Sequence, residues 1–364
     1  MAIWTRRPAL RWLVPGVAAA LVLGGGAAAS AIAATQDDPD LPPRSAAELL
    51  VDLQTAQIGS VSGTVVTTAN LGLPVLPGAG EAGNADLGSL WSGSNTLRVW
   101  YDGPERVRVA LLDTLSQADI IRNGQDLWIW HSEENEASHW TLPDGFATED
   151  PSQLRPPLSP QEAAERALVA IDPSTEVSTD ETTRVAGRDA YELVLTPRDE
   201  ASLVDGIRIA IDAEHSLPLS VQVFGEDPEP AFEVRFTQIS FERPDPEQFE
   251  FNPPPGGTVT EQESLIDPGW FGEGFADFEP EFEVVGEGWT SVLVTRLPEE
   301  APLLARLEPF LSLMPAVSGD WGSGHTISTA LLSALITDDG RVLVGPVTPE
   351  RLVEVAGDPA AALD

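Results

Sequence analysis

From residue 45 onward, apolar and polar positions alternate in short runs, the pattern of half-buried strands. In "ERVRVALL", Val107, Val109 and Leu111 alternate with Arg106, Arg108 and Ala110. Tyr191, Leu193 and Leu195 share one face of "TRVAGRDAYELVLTP", and Ile207, Ile209 and Ile211 one face of "GIRIAID". Leu219, Val221 and Val223 do so in "LPLSVQVFG", and Phe232, Val234 and Phe236 in "AFEVRFTQISFE". "SVSGTVVTTANLGLP" is rich in β-branched residues and reads as a further strand. Gly103-Pro104 separates "NTLRVWYD" from the next strand, and Asn123-Gly124 joins "ADIIRNG" to "QDLWIWH" as a tight hairpin. Pro253 to Pro255 end the series, because proline cannot continue a ladder.

Two helices accompany these strands. Ser45 with Glu48 three residues on forms a capping box for "SAAELLVDLQTAQ", whose apolar stripe is Leu49, Leu50 and Leu53. "SPQEAAERALVAID" has Pro160 at its first position and Pro173 beyond its end. The expected fold class is α+β. An antiparallel sheet this wide is hard for two helices to cover, so it must curl, with the helices inside the curl. A concave apolar groove results, and close packing makes a filled core its ordinary fate.

The same pattern divides the chain. Arg6, Arg7 and Arg11, the apolar run Leu13 to Ala29 and the Ala-x-Ala at Ala31 to Ala33 have the layout of a secretory signal over residues 1–34. An uncleaved anchor is the alternative, since the apolar run is near the lower bound for spanning. Residues 35–44 form a Pro-rich acidic linker, 45–257 the main domain and 258–285 a second acidic linker. Residues 72–95 read as a Gly-rich mobile loop. Residues 286–364 read as a small α+β domain. It has a strand in "GWTSVLVTRLP", a helix in "PLLARLEPFLSLM", a hairpin turning at Asp339-Gly340 and a last helix in "TPERLVEVA".

Composition narrows the function. The chain has no cysteine, so an exported protein of this kind rests on its core and offers no thiol for a lipid anchor. The net charge is -38, and all 20 basic residues are Arg. Such acidity repels nucleic acid and anionic head groups. Nucleic acid is therefore excluded as a partner.

Candidate chemistry is sparse. "NGQDLWIWHSEENEASHW", residues 123 to 140, gathers His131 and His139 with Glu133, Glu134 and Glu136. A zinc site needs three or four ligands at fixed positions, whereas acids at a hairpin tip are ordinarily solvated. Ser323 and His325 are neighbours in "SGDWGSGHT", but a triad is assembled in space rather than along the chain. No GxSxG elbow and no strand-loop-helix dinucleotide setting occurs. The expectation is a non-enzymatic protein without catalytic residues, metal or cofactor. Its resources are ten Trp and a broad apolar sheet face.

In this order, residues 45 to 255 resemble the lipoprotein carrier (LolA-like) family. The likeness runs from the N-terminal helix and "SVSGTVV" through the "NGQDLWIWHSEENEASHW" hairpin and "VAGRDAYELVLTP". It continues in "IDAEHSLPLSVQV", with its D-x-x-x-x-LP, and in "FTQISFERPDPEQFEFNPPPG", with its F-x-F-x-x-P-x-G. The resemblance implies an unclosed barrel lidded by helices, with a hydrophobic cavity for the acyl chains of a lipoprotein, and so an unfilled groove. An early-strand Arg ties sheet to lid in that family, and residues 61 to 73 contain no Arg, so that lock does not carry over. The additional C-terminal domain is similar to the arrangement of RseB-type periplasmic regulators, whose small domain binds an anti-sigma factor. The alternative to a carrier is then an envelope sensor that binds a membrane protein through residues 286 to 364.

The expected cavity wall comprises Val99, Tyr101, Val107, Val109, Leu111, Trp128, Trp130, Leu193, Leu195, Ile209, Val221, Val223, Val234 and Phe236. Facing assignments depend on register, because a slip of one residue swaps the set. The expected partners are lipid or lipoprotein acyl chains and a membrane-bound protein. The expected location is extracytoplasmic, in a periplasm-like space or the cell envelope.

Overall fold

The computed structural model describes residues 39–56, 59–72, 93–113, 116–143, 174–262, 282–296 and 314–358. Outside these lie the signal segment, most of the Gly-rich insert, the helix expected from Ser159, the one expected in "PLLARLEPFLSLM" and the Phe-rich acidic run.

Helix α1 (Ala46–Thr55) is capped as its sequence dictates: the Glu48 amide donates to Ser45 Oγ at 3.3 Å, and the Ser45 amide donates to Glu48 Oε2 at 2.8 Å. The strands β1 (Val61–Ala69), β2 (Gly93–Tyr101), β3 (Arg106–Leu112), β4 (Gln117–Asn123), β5 (Asp126–His131) and β6 (Glu136–Thr141) follow. Then come β7 (Thr175–Thr179), β8 (Thr183–Val185), β9 (Arg188–Pro197), β10 (Gly206–Asp212), β11 (Pro218–Phe224), β12 (Pro230–Ser240) and β13 (Thr258–Gln262). They form one thirteen-stranded sheet in the order β13-β6-β5-β4-β3-β2-β1-β12-β11-β10-β9-β7, with β8 also on β9. The sheet is curled and unclosed, its edges being β13 and β7. Register shifts at Thr64/Val65, Ala210/Ile211 and Val223/Phe224 add local twist along its middle, which bends the sheet. Gly63 lies beside the first of these, and a Cβ there would meet the Phe236 ring at 2.9 Å.

Two expectations are corrected. The sheet is mixed rather than purely antiparallel, because β13 pairs with β6 in parallel. The linkers are shorter than expected. Residues 258–262 belong to the large sheet, and Phe282–Val285 (β14) to a second sheet. Upstream, residues 39–44 are docked: Thr182 Oγ1 donates to Pro39 O at 2.6 Å, the Tyr191 hydroxyl donates to Pro42 O at 3.0 Å, and Leu41 packs beside α1.

The second sheet contains β14, β15 (Val292–Arg296), β16 (Ala316–Gly319), β17 (Gly322–Ser328), β18 (Ser333–Thr337) and β19 (Arg341–Gly345), in the order β14-β15-β19-β18-β17-β16. "TISTALLSALITDDGRVLVGPV" therefore forms two successive turns, of which the second is the expected one at Asp339-Gly340. Helix α2 (Pro349–Ala356) closes this core through Leu352 and Val355 against Val294, Leu335 and Leu343. Leu331 meets Val204 of the β9–β10 connection and Ala231 of β12, the Ala330 amide donates to Leu71 O at 2.8 Å, and Trp289 Nε1 donates to Thr175 Oγ1 at 2.8 Å.

Candidate functional site: the two faces of the large sheet

Register decides which side chains share a face. Val65 pairs with Leu97, Leu97 with Leu111, and Leu111 with Ala118. Val99 pairs with Val109, Val109 with Ile120, and Ile120 with Ile129. On the other flank, Val65 pairs with Phe236, Val234 with Val221, Val221 with Ile209, and Ile209 with Leu193. These residues line one continuous apolar face. All the expected wall residues lie on it except two.

Trp128 and Trp130 are the exceptions, and their place in the wall is corrected. Trp128 pairs with Ile121 and Ile121 with Arg108, while Trp130 pairs with Asp119. Both indoles therefore lie on the face opposite Val107, Val109 and Leu111. β5 reads Leu-Trp-Ile-Trp, so both of its alternations are apolar and its sequence does not say which one turns inward. Leu127, Ile129 and Ile120 take the places expected for the tryptophans. Sequence reasoning missed them, although the pairing of "ADIIRNG" with "QDLWIWH" across the turn would have shown them. That turn is the pair Gly124-Gln125, flanked by the paired Asn123 and Asp126, with Gly124 at φ 65°.

The shared apolar face is closed unevenly. Toward β9 and β10, α1 covers it: Leu49 is buried against Tyr191, Leu193 and Ile211. In the middle, Val99, Leu111, Val221, Val234 and Phe236 are buried. Toward β3 to β6, Val107, Val109, Ile120, Leu127 and Ile129 are half-buried. Tyr101 stands at this transition, and burial raises its phenol pKa.

The opposite face is strapped by the segment after β12. Phe249 is 1% exposed. Phe251 lies 4.9 Å from Trp128 and 6.3 Å from Trp130, centroid to centroid. The guanidinium of Arg108 donates to Asp119 at 2.9 Å and to Gln248 O at 3.2 Å, and it lies over the Trp100 ring. This is the physical content of the F-x-F-x-x-P-x-G run: Phe249 is buried and Phe251 packs on the two tryptophans of the second face.

His139 stands in β6, not at an exposed tip as expected; the turn is confined to residues 132–135. Its ring stacks on Trp128 at 4.0 Å, with Nδ1 at 2.7 Å from Glu261 and Nε2 at 2.9 Å from Asp126. Burial opposes the imidazolium, but the bonds to the two carboxylates outweigh it and raise the pKa above 6.5. The ring clips β13 to the β5–β6 hairpin. Asp212, the aspartate of D-x-x-x-x-LP, is buried at the β10–β11 turn. It accepts from Arg188 Nη2 at 3.1 Å, from the Glu214 amide at 3.1 Å and from the His215 amide at 2.7 Å. Burial works against its charge, and these donors prevail and hold its carboxyl below the usual range.

Ser323 and His325 do not form a catalytic pair: Ser323 Oγ donates to Asp338, and His325 Nδ1 lies 3.4 Å from Met314 O. Among the described residues, no three or more His, Asp or Glu gather in a way that would hold a metal ion. No helix among them is long and apolar enough to cross a membrane.

These features define a class: an unclosed, curled sheet with one apolar face partly covered by an N-terminal helix, joined to a smaller sheet-and-helix unit. Residues 89–255 match the family model described as the MucB/RseB N-terminal domain, and this bears out the resemblance read from the sequence. Similar solved structures include MucB of Pseudomonas aeruginosa in its complex with MucA. That match has 18% identity, covers 85% of this chain and 96% of that one, and has a TM-score of 0.43. A LolA-superfamily protein from Nitrosomonas europaea matches at 10% identity over 57% of this chain and 99% of its own, with a TM-score of 0.22. LprF from Mycobacterium bovis matches at 10% identity over 54% and 91%, with a TM-score of 0.27. No curated protein matches the chain.

Proposed function

We propose that this chain is an exported, non-enzymatic carrier that takes the acyl chains of a lipid or lipoprotein onto the apolar face of its curled sheet. One observation carries the reading: the face is continuous from β9 to β5, and among the described residues α1 closes its β9–β10 end, while Val107, Val109, Ile120, Leu127 and Ile129 are half-buried rather than buried. An apolar face left in this state suits an apolar guest. Each methylene transferred from water contributes about 0.8 kcal/mol. A sixteen-carbon chain therefore offers on the order of 10 kcal/mol before the costs of ordering it. Affinity then comes from acyl length, and a head group stays outside in water.

The test is direct. The mature chain, purified from its natural host, is extracted for lipid, and the delipidated protein is titrated with a fluorescent fatty acid. Co-purifying acyl lipid and saturable uptake are expected. An empty extract together with absence of uptake overturns the proposal.

A second reading is favoured by the MucB/RseB domain match over residues 89–255. In it the chain is an envelope regulator that reports acyl occupancy to a membrane-bound partner through residues 286–364. Removing those residues then abolishes partner binding and spares fatty-acid uptake, whereas a simple carrier shows no partner to lose.

A further inference from the structure

The large sheet ends in two unequal edges. At β7, Glu176 bonds Arg198 at 3.2 Å, and Thr175 is held by Trp289 of the smaller unit. At β13 no such cover occurs among the described residues. β13 reads Thr-Val-Thr-Glu-Gln, exposed from Thr258 to Glu261, and Val259 is 42% exposed. Natural edges are usually blunted by lysine, proline or a bulge. β13 is short and carries one charge, Glu261, but it has no lysine, proline or bulge, and its register against β6 runs unbroken from Thr258 to Gln262.

The backbone direction is defined. The Thr258 amide donates to Asn135 O at 3.0 Å, so Thr258 turns its backbone groups toward β6. Successive residues of a strand turn theirs to opposite sides. Thr260 and Gln262 therefore face β6 as well, while Val259 and Glu261 present N–H and C=O to the open side. The surrounding charge is of one sign: Glu133, Glu134 and Glu136 are exposed at the start of β13, and Glu261 and Asp126 flank its far end.

We propose that β13 is a docking edge for an extended, basic segment of a partner protein, which adds to the sheet as a further strand. The occupant follows from two observations. Unpaired N–H and C=O groups at Val259 and Glu261 fit an extended backbone. The bordering carboxylates, on a chain of net charge -38, favour Arg or Lys in the incoming segment and repel a second copy of this chain. This surface lies outside the apolar face, so it is independent of the acyl-chain reading.

The probe is a labelled ten-residue peptide alternating Arg with Val, titrated against the full chain by fluorescence anisotropy. Three peptide controls are used: Glu in place of Arg, a proline-interrupted version of equal charge, and a version N-methylated at alternate amides. Val259→Pro removes one outward N–H and the exposed side chain and leaves the bonds to β6. The expected result is saturable binding of the Arg–Val peptide, at least tenfold weaker for Val259→Pro and for the three controls, with an unchanged melting temperature. Should Val259→Pro fail to fold, the N-methylated peptide decides the matter on the unaltered protein. Equal binding of the proline-interrupted or N-methylated peptide overturns the proposal, because charge alone then suffices. It is equally overturned if the wild type takes no Arg–Val peptide, or if it forms a dimer that Val259→Pro abolishes.

Discussion

Strands β4 and β5 carry apolar side chains on both faces, and the two faces are packed differently. One carries Trp128, Trp130 and Ile121, and Phe251 packs on its two indoles. The other carries Val107, Val109, Ile120, Leu127 and Ile129, which are half-buried as the two indoles are, but it has no aromatic strap among the described residues. Large aromatic surface is therefore not by itself a sign of a binding site. The tryptophans that look like a ligand platform have their partner in the same chain. The proposed function places its guest on the smaller aliphatic side chains of the reverse side.

The comparison breaks hardest at Phe249. Phe249→Ala removes a fully buried aromatic from the strap and is expected to cost about 3–5 kcal/mol by denaturant unfolding. Fatty-acid uptake below the new melting temperature should persist. If uptake disappears in protein that is still folded, the two faces are not separable in the way described. A pair of variants sharpens the contrast. Trp128→Ala is expected to lose about 2–4 kcal/mol of stability and to bind fatty acid as the wild type does. Val109→Asp places a carboxylate on the half-buried aliphatic face. It should weaken uptake at least tenfold, at a stability cost of about 1–2 kcal/mol. The reverse pattern in a side-by-side titration would put the guest on the tryptophan face.

The smallest effect concerns His139. Its folded pKa is raised, so protonation is favoured in the folded state. The associated stability is fully present below the unfolded value of about 6.5 and is lost as pH rises through the folded pKa. Asp126 and Glu261 are well exposed, and solvent screens them, which limits the contribution to less than about 1 kcal/mol. Melting temperatures of wild type and His139→Gln, measured from pH 5 to pH 9, should differ most at the acid end and converge toward the alkaline end. A gap that is independent of pH would show that stacking on Trp128, and not charge, carries the role of His139.

Much of the site was legible in the chain. The capping box at Ser45, the turn after Asn123 and the single apolar faces of β3, β9, β10, β11 and β12 follow from local pattern. Each of those strands is apolar on one side only, so period two also tells which side turns inward. β5 is different: Leu127 and Ile129 compete with Trp128 and Trp130. Local pattern supplies the period there and leaves its phase undetermined.

What the sequence by itself determined is most strands of the large sheet, their turns and most of its apolar face, since these depend on neighbours a few residues apart. Only the tertiary structure decided three things: that Phe251 packs on the tryptophans, that residues 39–44 dock against Thr182 and β9, and that β13 joins β6 in parallel. Each depends on a contact between distant segments, such as Thr182 with Pro39 or Glu261 with His139. No periodicity within either partner encodes such a meeting, because its free energy exists only once the sheet has brought the two together.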